Sequence, residues 1–156
     1  MTTNSNLFIT GVADPGNGDP HSLFFTENEL KDLVRTDKLK NAKVWFEHGD
    51  QWKKNIGSIT YAWVQPGEGL KVVISFNPKE LCSSTVFEWV KSGVFRGLSL
   101  GYTATVDPIS FRAGEKRVHE ISVVHVPYHN SCLIDGIFQQ CGNRTHYYLD
   151  RKTVRK

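Results

Sequence analysis

Residues 96–102 read Arg-Gly-Leu-Ser-Leu-Gly-Tyr, an alternation with the two-residue period of a β-strand. Leu98, Leu100 and Tyr102 then share one face, and Gly97, Ser99 and Gly101 the other. Glycine inside a strand weakens it and marks a place where a ligand or another backbone comes close. Two readings fit. The glycines relieve crowding at a barrel corner with serine as filler, or they leave a serine hydroxyl accessible, as a nucleophile attacking a carbonyl needs.

The same period recurs along the chain. Asn6 to Asp14 reads as a strand that ends in the turn-dense stretch Pro15 to Pro20. Asp14 and Asp19 there lack the oxygen-ligand pattern of a calcium loop, so a plain turn is expected. Thr26 and Glu29 make a capping box, and Leu30, Leu33 and Val34 follow on one helical face, which predicts a helix over 27–35. Lys43 to His48 is strand-like and breaks at Gly49-Asp50. A hairpin follows, with arms Ile56–Val64 and Leu70–Phe76 around Pro66-Gly67-Glu68-Gly69. Asn77-Pro78-Lys79-Glu80 starts a second helix, which runs through Val86, Phe87 and Val90 to Gly93 as its C′ residue. Phe95–Val106 and Lys116–Val126 read as two more strands joined by a polar loop. These elements predict an α+β domain that is mainly β, a closed or nearly closed antiparallel barrel edged by a few short helices.

A chain of 156 residues fits one domain. Its 39% apolar and 12% aromatic content excludes wholesale disorder, and no apolar run approaches the roughly 20 residues of a membrane span. The N-terminal stretch has no basic cluster before an apolar core, so secretion is not expected. Cys82, Cys132 and Cys141 cannot all pair within one chain, which points to a reducing compartment, cytoplasm or nucleus. The net charge is +3, and it is placed unevenly. Arg144, Arg151, Lys152, Arg155 and Lys156 stand against Asp150, so the reading divides the chain into a domain over 1–140 and a basic tail or linker over 141–156. The nearly neutral body argues against nucleic acid as a partner. Asn143-Arg144-Thr145 matches a glycosylation sequon, which means little without a secretion signal. Trp45, Trp52, Trp63 and Trp89 are spread over the chain and suit core or rim positions.

A serine hydroxyl is a weak nucleophile until an imidazole takes its proton. His48, ending its strand on the face of Val44 and Phe46, is placed to be that base. In Arg117-Val118-His119-Glu120-Ile121-Ser122-Val123, alternation sets Glu120 and Ser122 on one face, and His119, Ile121 and Val123 on the other. A carboxylate within a β-branched strand is costly to bury unless paired. Glu120 is therefore either a water-facing edge residue or the acceptor that orients His48.

Taken together, Phe46-Glu47-His48, Ile56-Gly57-Ser58-Ile59, Gly97-Leu98-Ser99-Leu100 and Glu120-Ile121-Ser122-Val123-Val124 resemble the capsid-maturation protease superfamily, the herpesvirus assemblins and the prohead proteases of tailed phages. The resemblance covers roughly residues 6–135. It implies a serine endopeptidase with Ser99 as nucleophile, His48 as general base and no cofactor. The third member resembles a histidine in assemblins and a glutamate in the prohead enzymes, and this chain offers His119 and Glu120 side by side. Glu120 is preferred, because Ser122 on its face leaves room for a second ring. Pro127-Tyr128-His129-Asn130 stands where assemblins carry paired arginines, so the donors to the oxyanion are left open. The implied substrates are a scaffold protein filling an immature capsid and the precursor of the protease itself. The implied setting is the procapsid or virion interior with capsid protein as partner, and a homodimer is among the expected assemblies.

Two rival readings are weighed. His119, His125 and His129 invite a zinc site, but His119 and His125 lie about 20 Å apart on a strand, and Pro127 breaks any helix that would bring His125 to His129. No metal is expected. The other rival is a non-enzymatic structural or binding β-domain of a virion with a basic tail. It leaves the Gly-Ser-Gly face unexplained.

Overall fold

A computed structural model of the chain describes residues 5–49, 54–76 and 79–150. Among these, β1 (Ser5–Asp14), β2 (Lys43–Phe46), β3 (Gly57–Gln65), β4 (Gly69–Phe76), β5 (Gly97–Val106), β6 (Ala113–Val124), β7 (Ile134–Cys141) and β8 (Arg144–Asp150) form one sheet, with α1 (Glu27–Arg35) and α2 (Leu81–Lys91) packed on it. The strand order is β5-β6-β2-β3-β4-β1-β7-β8.

The sheet curls without closing into the expected barrel. β7 pairs with β1 on one edge and with β8 on the other, so β5 meets it only at its first residues. There Leu98 N–H donates to the Cys132 carbonyl and Ile134 N–H to the Arg96 carbonyl, at 3.0 and 2.8 Å. The sheet is not wholly antiparallel either, because β2 runs parallel to β6.

β7 and β8 were not expected from the sequence. The region from Cys141, assigned to a tail, turns back through Gly142 at φ 59°, and Arg144 pairs with Cys141 to start β8. The sheet thus continues to residue 150, past the boundary drawn at 140. Arg151, Lys152, Arg155 and Lys156 lie outside the described residues, as do Asp50, Trp52 and the Asn77-Pro78 helix start.

Elsewhere local chemistry explains the elements. Thr26 Oγ1 accepts from Glu29 N–H at 3.1 Å, and Glu29 Oε1 accepts from Thr26 N–H at 2.9 Å, which satisfies two orphan amides at the start of α1. That helix buries Leu30 and Leu33. α2 buries Val86, Phe87 and Val90 and ends before Gly93 at φ 84°, where a residue without Cβ is favoured. Ile9, Val44, Ile56, Val72, Ile74, Leu98 and Ile121 are fully buried, and form one cluster with the apolar faces of both helices.

Candidate active site

β6 lies between β5 on one side and β2 on the other. In the β5–β6 register Ser99 faces Ser122 and Gly101 faces Glu120, so all four share one surface of the sheet. β2 runs beside β6 with Trp45 level with Ser122 and Phe46 with Val123. Its end is held by aromatic packing: Phe46 meets Phe95 and Trp89 at ring separations of 4.8 and 5.4 Å.

The strand stops at Phe46 rather than continuing to His48. Glu47, His48 and Gly49 have φ of 50°, 56° and 78°, a left-handed run that disfavours side chains carrying a Cβ. His48 therefore does not share the face of Val44 and Phe46, as strand alternation had suggested. Two hydrogen bonds hold the turn against this strain. Glu47 Oε1 accepts from His125 N–H at 2.5 Å, and His48 N–H donates to Ser122 Oγ at 3.1 Å.

The turn brings the imidazole over β6. Ser99 Oγ–H donates to His48 Nε2 at 3.0 Å, and His48 Nδ1–H donates to Glu120 Oε2 at 2.7 Å. Ser122 Oγ–H donates to the other carboxylate oxygen, Glu120 Oε1. The Glu120 side chain is 7% exposed and that of His48 41%, so the acid is enclosed while the ring can reach a ligand. A carboxylate can only accept. It therefore holds the proton of His48 on Nδ1 and leaves the Nε2 lone pair free to take one from Ser99. Chemically, this chain can activate an alcohol for attack on a carbonyl.

The glycines of β5 have a specific use. A Cβ on Gly101 would lie 1.7 Å from Glu120 Oε2, and one on Gly97 would lie 2.6 Å from the Pro127 ring. They admit protein side chains, whereas the sequence alone had suggested space for a ligand or a second backbone.

His119 is not in this chain. A bulge between Gly101 and Tyr102 breaks the alternation expected on β6. His119 consequently sits exposed on the surface, with Nε2 2.9 Å from Thr103 Oγ1, instead of sharing the buried face of Ile121. His125 is exposed, and His129 stands 4.0 Å from Asp14. Among the described residues no three His, Cys, Asp or Glu side chains are grouped to hold a metal.

Ser99 and His48 open onto a cleft of about 450 Å³ shared with Asp14, Phe24, Tyr102 and His129. Tyr102 donates its hydroxyl to the Leu23 carbonyl at 2.8 Å and ties the rim of the cleft to β5. A smaller hollow of about 350 Å³ between α1 and β3 shares none of these residues. Burial pushes the Cys132 thiol up to about 12, with the Asp14 carboxylate adding to the shift. Alkylation at pH 8 should modify the exposed Cys141 and spare Cys132 until the protein is unfolded, as peptide mapping would report.

No sequence family matches the chain, and neither does any curated protein. Solved structures do match. One is the KSHV protease, crystallised in complex with a hexapeptide phosphonate inhibitor, at 12% identity and a TM-score of 0.56. The two share a fold. The match covers 86% of this chain but 65% of that protease, so this chain spans less than two thirds of its length.

The sequence reading did not foresee the role of Ser122, which bridges the His48 amide and the Glu120 carboxylate. It also missed Glu47 as the brace of the turn. Glu47 carries no local signal, because its partner His125 lies 78 positions away. Ser122 shares a strand face with Glu120 two positions before it, but its bond to the His48 amide spans 74 positions.

Proposed function

We propose that this chain is a serine endopeptidase of the capsid-maturation type, acting on a viral scaffold protein and on its own precursor inside an immature capsid. The observation that carries the reading is the unbroken hydrogen-bonded chain from Ser99 through His48 to Glu120, at the mouth of a cleft. The fold shared with the KSHV protease and the motifs quoted above support it.

In the proposed reaction Ser99 Oγ attacks the scissile carbonyl while His48 Nε2 accepts its proton. Glu120 stabilises the imidazolium. His48 then returns the proton to the departing amine, and water hydrolyses the acyl-enzyme by the same route. Leu98 N–H points off the sheet edge to the Cys132 carbonyl, and strand alternation sends Leu100 N–H off the same edge beside Ser99. We assign that amide to the oxyanion, where one donor is typically worth about 10²–10³ in rate.

A fluorophosphonate probe tests the reading directly. A covalent adduct on Ser99 is expected, lost in Ser99→Ala and His48→Ala and retained in His119→Ala. A folded wild-type protein that does not react would overturn it and favour a binding domain. Loss of labelling in His119→Ala with retention in Glu120→Ala would reassign the third member.

A further inference from the structure

Asp14 closes β1 and opens the turn Asp14-Pro15-Gly16. Its Oδ1 accepts from Gly16 N–H at 2.9 Å, an Asx turn that asparagine would make equally well. The turn therefore needs one oxygen and no charge. Yet the residue is 2% exposed, and it lines the same cleft as Ser99 and His48. The imidazole of His129 stands with Nε2 4.0 Å from its second oxygen, Oδ2, beyond hydrogen-bonding length. Desolvation by burial pushes the Asp14 carboxyl above its ordinary range; the Gly16 amide, His129 and Lys116 act only in part against it, and the Glu29 carboxylate adds to it. The fold thus buries a carboxyl to whose Oδ2 no basic side chain comes within hydrogen-bonding length among the described residues.

The other walls of that cleft suit a cation with an apolar stem. Phe24, Tyr128 and His129 form a cluster with ring separations of 5.9, 5.5 and 5.0 Å. Leu23 and Tyr128 are exposed, at 54% and 74%. Methylenes pack on such faces, and a cation is attracted to them. The volume, about 450 Å³, is in the range of small-ligand pockets.

We infer that Asp14 is a specificity-determining residue, and that this cleft receives a lysine or arginine side chain of the substrate with its cationic head on Asp14 Oδ2 and its stem along Phe24 and Tyr128. The inference rests on the protease reading above and deepens it by naming the substrate class. Removal of one partner of a desolvated charge pair lowers affinity by about 30-fold or more, so Asp14 should dominate selection at this subsite.

The folded chain holds the Asp14 proton more tightly than the unfolded chain does. Ionising Asp14 therefore costs stability as the pH rises through its folded-state pKa. Asp14→Asn keeps the turn acceptor and should be more stable than wild type at neutral pH, with the advantage fading as the pH falls. A stabilised variant that has lost its selectivity would separate specificity from a structural role.

The test profiles wild type with a library of peptides varied at each position flanking the cleaved bond. Enrichment of lysine and arginine over norleucine is expected at one position. In Asp14→Asn the lysine-to-norleucine ratio of kcat/KM should fall by about 30-fold or more. Cleavage by wild type with no preference for a cation would overturn the inference and leave the protease reading standing, as would a preference that survives in Asp14→Asn. Absence of both labelling and cleavage would sink the two together.

Discussion

Glu120→Gln is expected to lower peptide turnover by about two to four orders of magnitude with the fold intact. The reason lies in the hydroxyl of Ser122. Its oxygen already accepts from His48 N–H, and its proton goes to Glu120 Oε1. A glutamine at this position keeps both bonds by turning its carbonyl oxygen to Ser122. That choice points its NH₂ group at His48 Nδ1. The imidazole must then carry its proton on Nε2, where it can no longer accept one from Ser99. The measurements are kcat/KM on a cleavable peptide and the thermal midpoint of the variant. Wild-type turnover in a folded Glu120→Gln protein would remove Glu120 from the reaction.

Gly101→Ala should be nearly as damaging, although the substitution adds a single methyl group. The new Cβ would fall 1.7 Å from Glu120 Oε2, and the carboxylate is pinned by His48 on one oxygen and Ser122 on the other. Displacing it breaks the orientation of His48, so turnover should fall by about 10²–10⁴. Crowding of this kind typically costs roughly 1–3 kcal/mol of stability. The double variant Gly101→Ala/Glu120→Ala should regain much of that stability and stay inactive. Gly97→Ala provides the contrast. Its Cβ would meet the Pro127 ring instead, so it should destabilise the protein with a smaller loss of turnover. Wild-type kcat/KM in Gly101→Ala would show that the carboxylate tolerates displacement.

Much of this was legible in the chain because it rests on near neighbours. The capping box at Thr26 and Glu29, the hairpin around Gly67 and the alternation of Leu98 and Leu100 are set by residues within a few positions of one another. Each was read correctly. β7 and β8 were missed although Gly142-Asn143 is a recognised two-residue hairpin signal. The basic side chains around it suggested a tail, and charge on one face of an edge strand is compatible with pairing on the other. The alternation argument also placed Glu120 and Ser122 on one surface. It failed at His119, because that residue is the extra one of a bulge, left without a partner across the ladder, and the alternation breaks there.

The linear chain determined which side chains were available and which lay on a common strand face, since a two-residue period follows from backbone geometry alone. It did not determine that the sheet stays open, because this depends on which strand captures the second edge of β7. Nor did it determine the posture of His48. Three left-handed residues are unfavourable in isolation, and only bonds from Ser122 and His125, more than 70 residues downstream, hold them there. Local torsions and periodicity are encoded by neighbours in sequence, whereas strain is tolerated only where distant contacts offset it, and the imidazole owes its place to that balance.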